Sequence, residues 1–139
     1  MALRKNAKVD LIKRVPLFAQ CSRRELEEIA QIADELDFPE GKELTREGAP
    51  GREFFVLLEG TADVVQGSRK LRTVSGGDFF GEIALISKVP RTATVKTSSP
   101  VRALVVTDRA FRQLLERAPG IQLKVLQALA ERVAPTTAP

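Results

Sequence analysis

The apolar positions change period twice along the chain. Val9 to Arg14 has the spacing of a short helical turn, which Pro16 ends, and Leu17 and Phe18 then read as a plug onto a core. Ser22 stands three residues before Glu25, the spacing of a capping box. Leu26, Ile29, Ala30 and Ala33 follow at i, i+3, i+4 and i+7, one apolar stripe of a helix. From Leu36 to Thr107 the period shortens. Candidate strands are Leu36–Phe38, Glu43–Arg46, Phe54–Leu58, Thr61–Gln66, Lys70–Val74, Thr92–Thr97 and Arg102–Val106. Gly and Pro turn signals separate them, among them Gly48-Ala49-Pro50-Gly51, Glu59-Gly60 and Ser75-Gly76-Gly77. Short strands at this spacing predict an all-β sandwich or barrel. The helical period returns at Asp108, which can cap a helix to about Arg117. Pro119-Gly120 breaks it. A second helix is expected from Gly120 to Val133, with Leu126, Leu129, Ala130 and Val133 as its stripe.

This pattern predicts a single domain over residues 1–133, with N-terminal helices over 1–35, a β-region over 36–107 and C-terminal helices over 108–133. Residues 134–139 read as a disordered tail. The length of 139 residues suits one domain, and 43% hydrophobic with 29% charged residues suits a soluble globular one.

Composition then removes whole classes of chemistry. There is no histidine, which excludes the Ser-His-Asp triad, the Cys-His dyad and histidine-ligated metal sites. The single cysteine, Cys21, excludes an internal disulfide and Cys-cluster metal sites. Tyr and Trp are absent. Neither a catalytic set nor a metal site is expected. The apolar runs are too short to span a membrane, and the first ten residues lack an apolar signal core, so a cytoplasmic protein is expected. The net charge of +4 is uneven: +6 over 1–24, −9 over 25–63 and +7 over 64–139. The excess is compatible with an anionic ligand or with a solvated mixed surface.

One stretch breaks the strand pattern, Gly77-Asp78-Phe79-Phe80-Gly81-Glu82-Ile83-Ala84-Leu85-Ile86-Ser87-Lys88-Val89-Pro90-Arg91-Thr92-Ala93-Thr94-Val95. Gly81 permits an unusual backbone angle or the close approach of a ligand. Glu82 to Ile86 has room for one helical turn, whose free N–H groups suit an anion. Arg91 can fork two bonds to a phosphate. Glu82 makes sense beside it as an acceptor for sugar hydroxyls. Together they describe a nucleotide monophosphate site. On spacing alone they are equally an ion pair closing a loop.

This segment resembles the phosphate-binding cassette of cyclic-nucleotide-binding domains, found in cAMP-dependent kinase regulatory subunits, cyclic-nucleotide-gated channels and catabolite-activator-type regulators. The resemblance extends over roughly Leu11 to Val133 and rests on F-G-E-I-A-L followed by P-R-T-A-T-V. It implies a mainly β fold with flanking helices: an eight-stranded antiparallel β-roll, jelly-roll-like (a double-stranded β-helix), with N-terminal helices, a short cassette helix and two C-terminal helices. It implies that Glu82 accepts from the ribose 2′-hydroxyl beside the Gly81 backbone and that Arg91 pairs with the phosphate. The amides of Ala84 and Thr92 would complete the cradle, with Ala93 following in the cassette. Ile83 would pack against sugar or core. Asp63 would orient Arg91, or else is a surface strand carboxylate. Val64, Val74 and Phe79 are candidates for the base pocket, or plain core.

The resemblance also implies a lid over the base. With no Trp or Tyr, the candidates are Leu126, Leu129, Ala130, Arg132 and Val133, or these are simply a packing stripe. Thr92 can bond the 2-amino group of a syn guanine, yet cAMP binders also carry Thr or Ser there. cAMP is favoured over cGMP because bacteria use it more widely, and compositional bias towards Ala and Arg hints at a bacterial source. No cofactor is expected beyond this ligand. The expected function is a non-catalytic sensor that moves its last helix to signal to a protein partner or output domain. The alternative is a degenerate domain that binds only protein. Nucleic-acid binding is not expected, because only Ala134 to Pro139 follow the last helix.

Overall fold

The computed structural model describes residues 4–137, with side-chain surroundings described as far as residue 131. The chain divides into two compact units, a helical one up to Ile32 and from Ala110 onward, and a β one over Ala33–Arg109.

The helical unit begins with α1 (Lys5–Lys13), which starts earlier than its apolar residues required, and a 3-10 turn over Pro16–Phe18. Helix α2 (Arg23–Gln31) carries the expected capping box. Glu25 N–H donates to the Ser22 hydroxyl at 3.2 Å, and Ser22 N–H donates to Glu25 Oε1 at 2.8 Å. Such a cap is worth about 1 kcal/mol. Leu26, Ile29 and Ala30 are buried, as their spacing requires. Helix α3 (Asp108–Arg117) buries Phe111 and Leu114, and the Phe111 ring lies 5.7 Å from that of Phe18.

Helix α4 (Pro119–Thr137) extends past Val133, so Ala134 to Thr137 continue the helix in place of the expected tail. Among its described side chains, Ile121, Val125 and Ala128 are buried. The stripe expected from sequence is therefore corrected: Leu126 is 58% exposed, Leu129 is half-buried and Ala130 is exposed. Ile121 anchors the helix against its own unit, and Leu126 stands one residue, or about 100°, round from Val125. Arg132 and Val133 lie outside the residues whose side chains are described.

Lys124 on α4 donates to Glu25 Oε1 at 2.5 Å. Burial alone would raise the Glu25 pKa, but the bonds from Lys124 and Ser22 outweigh it and hold the carboxyl below its ordinary value. A depressed carboxylate stabilises the fold above its unfolded pKa, and that stabilisation is lost as pH falls through the folded value. Glu25→Gln is therefore expected to lower stability near neutral pH. It is also expected to flatten the loss seen in wild type below about pH 5, which urea titrations across pH 3 to 7 would measure.

The β unit contains β1 (Asp34–Phe38), β2 (Glu43–Thr45), β3 (Glu53–Glu59), β4 (Ala62–Gln66), β5 (Arg69–Val74), β6 (Phe79–Phe80), β7 (Thr94–Thr97) and β8 (Val101–Thr107). They form two antiparallel four-stranded sheets, ordered β1-β8-β3-β6 and β2-β7-β4-β5. This is the expected β-roll with a short cassette helix. Between the sheets Leu57, Ala62, Val64, Val74, Val95, Val101 and Ala103 make an apolar core. Strand β6 is the one strand absent from the sequence pattern. Two residues cannot show a period, and β6 exists because Phe55 pairs with Phe80 and Val56 with Phe79. The Phe55 and Phe80 rings stack at 4.9 Å. That pairing fixes the point at which the chain leaves the sheet. Among the described residues no helix is long and apolar enough to cross a membrane.

Candidate functional site

The segment after β6 makes one 3-10 turn over Glu82–Leu85. Gly81 precedes it at φ 83, ψ 10, a left-handed conformation that favours glycine. The turn closes on itself: Ala84 N–H donates to Gly81 C=O at 3.0 Å and Ile86 N–H to Ile83 C=O at 3.1 Å. Ile83 is 43% exposed, so of the two surroundings the resemblance implied for it, sugar or core, the core does not hold it.

The outgoing arm of the cassette is pinned from both sides. Arg91 N–H donates to Ala49 C=O at 2.9 Å, and Gly48 N–H donates to Arg91 C=O at 2.8 Å. The Thr92 carbonyl accepts from Gln66 Nε2 at 3.1 Å. The buried Thr45 hydroxyl donates to the Ala93 carbonyl at 3.0 Å and accepts from Val95 N–H at 3.1 Å. Glu47 N–H donates to the Thr94 hydroxyl at 3.0 Å. Arg91 and Thr92 thus project from a backbone that is already ordered, and a ligand need not order it.

The Arg91 guanidinium is half-buried. Its Nη2 donates to the Glu53 carbonyl at 2.5 Å. Two glycines leave it room. A Cβ on Gly51 would lie 2.8 Å from Nε, and one on Gly81 would lie 2.6 Å from Nη1. Burial lowers the Arg91 pKa, and the Glu53 carboxylate opposes that. The group stays cationic at any physiological pH. Gly51→Ala places a methyl where the guanidinium sits without demanding a positive φ. It is expected to weaken binding of an anion at Arg91 by about tenfold, or 1.4 kcal/mol, with little change in melting temperature. Titration and thermal melts on the same variant separate the two.

A cavity of about 440 Å³ opens beside this arginine. Of the residues expected in the site, it gathers Gly81, Glu82, Ile83, Ala84, Arg91, Thr92, Ala93, Phe79 and Val64 into one wall. The Glu82 Oε2 atom is sealed from solvent with no hydrogen bond of its own, while the residue as a whole has other interactions. Val74 is corrected: it is fully buried in the core between the sheets and does not line the cavity. Asp63 is corrected too. Its carboxylate accepts from the Thr73 hydroxyl at 3.0 Å and pairs with Lys70 at 3.2 Å, which hold its pKa below the ordinary value. The Glu53 backbone carbonyl accepts from Arg91 instead. Sequence reasoning missed Glu53, Gly51 and Arg72. Arg72 lines the cavity from β5, and strand alternation inward from Val74 was the signal for it.

The β-roll is thus interrupted by a left-handed glycine and a single turn, with an arginine held at the wall of a cavity. The comparisons name its class. Residues 35–118 match the family described as "Cyclic nucleotide-binding domain", and the chain belongs to that family. A cAMP-dependent protein kinase regulatory subunit from Colletotrichum orbiculare is 33% identical over 81% of this chain and 29% of its own length. The chain spans between about a fifth and a third of the length of the curated relatives it matches. Among solved structures, the N-terminal domain of a transcriptional regulator from Streptomyces coelicolor A3(2) superposes with a TM-score of 0.84 at 28% identity. The match covers 92% of this chain and 95% of that one. A cyclic nucleotide-binding-like protein from Brucella abortus gives a TM-score of 0.73 at 25% identity, covering 79% of this chain and 98% of that one.

Proposed function

We propose that the chain is a non-catalytic receptor domain for a cyclic purine nucleotide and that it reports occupancy to a protein partner or output domain. The observation that carries this reading is the Arg91 guanidinium, held between Gly51 and Gly81 at the wall of a cavity that also presents Glu82. In this reading Arg91 binds the cyclic phosphate and Glu82 accepts from the ribose 2′-hydroxyl. The base lies along Val64 and Phe79. Ile83, Ala84, Thr92 and Ala93 close the sides.

Sequence alone favours cAMP over cGMP. Arg72 at the cavity favours the second reading, cGMP. A guanidinium is donor-only and matches the paired N7 and O6 acceptors of guanine, whereas adenine offers a donor at its amino group. The Thr92 hydroxyl can serve the guanine 2-amino group. Calorimetric titration with cAMP, cGMP and AMP tests both readings. Micromolar binding, about −8 kcal/mol, of a cyclic nucleotide and weaker binding of AMP support the receptor. Arg72→Ala is expected to reduce cGMP affinity more than cAMP affinity. No binding of either nucleotide would leave the alternative, a protein-interaction module.

The signalling step rests on the break between α3 and α4 at Ala118, just before Pro119 and Gly120 open α4. A ligand shifts a population only if it binds one state more tightly. Hydrogen exchange over residues 120–133 is expected to slow when ligand is added. Unchanged exchange there would remove the lid, with Leu126, Leu129, Ala130, Arg132 and Val133, from the mechanism.

A further inference from the structure

Arg91 belongs to two cavities. Besides the nucleotide cavity it lines a second one of about 500 Å³, formed by Gly41 to Arg46, Ala49, Pro50, Glu53 and Lys96. The two share Arg91 and Thr45 alone. The guanidinium straddles the boundary. Nη1 lies against Gly81, which lines only the nucleotide cavity, while Nη2 donates to the carbonyl of Glu53, which lines only the second.

The charges of the second cavity do not cancel. Glu43 is committed to Arg46, accepting from its Nε at 3.0 Å and its Nη2 at 2.8 Å. Glu53 faces Arg91. Lys42 and Lys96 add two further positive charges to the lining, and no carboxylate is left over for them there. The lysines are fixed at their backbones. Lys42 N–H donates to the Thr97 hydroxyl at 2.8 Å, and Lys96 pairs in register with Glu43 between β2 and β7. The size falls within the range of small-ligand sites.

We infer that this second cavity is an anion site for a compact phosphate-bearing ligand, held by Lys42 and Lys96 against Arg91, and that its occupant competes with the nucleotide for that arginine. The competitive part rests on the proposed role of Arg91 in nucleotide binding. Two anions on one guanidinium share a single charge and lie well within the Debye length of about 8–10 Å, so each disfavours the other. Coupling between sites is reciprocal.

Inorganic pyrophosphate is the probe, titrated by calorimetry and by backbone amide NMR at matched ionic strength. Wild type is expected to bind it, with shifts at residues 41–46 and 96. The double variant Lys42→Gln/Lys96→Gln is expected to lose that binding while keeping its nucleotide affinity. Saturating pyrophosphate is expected to weaken cyclic-nucleotide binding about fivefold or more, while the same ionic strength of sodium chloride does not. No binding, or binding that the double variant retains, overturns the site. Lysine-dependent pyrophosphate binding without nucleotide binding would leave the site standing and overturn the receptor reading. Binding of both with no mutual effect would overturn the competition.

Discussion

Arg91→Ala is expected to weaken cyclic-nucleotide binding by about 2–5 kcal/mol, the usual consequence of removing one partner of a desolvated, hydrogen-bonded charge pair. The loss should exceed thirtyfold and will be seen in a calorimetric titration. The reason lies in what the protein has already arranged around the side chain. Its backbone is tied to the Gly48–Gly51 turn by two hydrogen bonds, and its guanidinium is placed by the Glu53 carbonyl and by the space left at Gly51 and Gly81. Little ordering remains for the ligand to impose, so nearly all of the interaction is available for binding. Arg91→Lys keeps the charge but not the planar fork, and its Nζ cannot serve the Glu53 carbonyl and a phosphate in one geometry. It should fall between wild type and alanine. The melting temperature without ligand should change little in either variant, because Arg91 is only half-buried and contributes no apolar contact to the core between the sheets. A large fall in melting temperature together with intact binding would reverse these assignments.

The parts of this protein that were legible in sequence are those where one local signal has one physical cause. Ser22 and Glu25 make the capping box their spacing states, and seven of the eight strands fall where alternation and turn residues place them. The cassette was legible through the resemblance of F-G-E-I-A-L and P-R-T-A-T-V to a known family, since the glycine, the turn and the arginine alone left an ion pair closing a loop as an equal reading. The misreadings share a different cause, which is dependence on partners distant in sequence. Strand β6 exists only through Phe55 and Val56. Sequence leaves Asp63 as either the partner of Arg91 or a surface strand carboxylate, and Thr73 and Lys70 occupy it across the β4-β5 pairing. Glu53 reaches Arg91 because β3 begins beside the loop that fixes the arginine backbone, and nothing in the local sequence records that meeting. Val74 and Arg72 lie on one face of β5, yet one is in the core and the other is at the cavity. Alternation assigns a face, and tertiary packing decides what that face meets. The face of α4 followed the same rule: Leu126 and Val125 are equally apolar, and Ile121 settled which of them turned inward.

Gly60→Ala is expected to destabilise the fold by about 3 kcal/mol or more, among the large values for a single substitution, without touching the ligand cavity. Gly60 sits between β3 and β4 at φ 91, where a side chain is strained in any surroundings. It also abuts backbone. A Cβ there would lie 2.1 Å from the Pro100 carbonyl oxygen and 3.0 Å from the Val101 Cα. Neither can swing aside as a side chain would. The turn after β7 is bound to this one by Thr61 N–H to the Ser99 hydroxyl at 2.9 Å, Ser98 N–H to the Thr61 carbonyl at 2.9 Å, and the Thr61 and Ser98 hydroxyls at 2.7 Å. Pushing Pro100 away therefore strains several bonds at once. Gly67→Ala is the control. Gly67 also has a positive φ, of 62°, but nothing lies within 4 Å of its Cβ position. It should cost about 1 kcal/mol, the backbone part alone. The difference between the two variants in urea unfolding measures the steric part. If they prove equal, the turns are free to separate and the close approach at Pro100 is not a constraint on the fold. If Gly60→Ala is the far weaker fold yet its folded fraction binds nucleotide normally, stability and recognition reside in opposite ends of the roll. The end that carries Arg91 can then vary in ligand without loss of the scaffold.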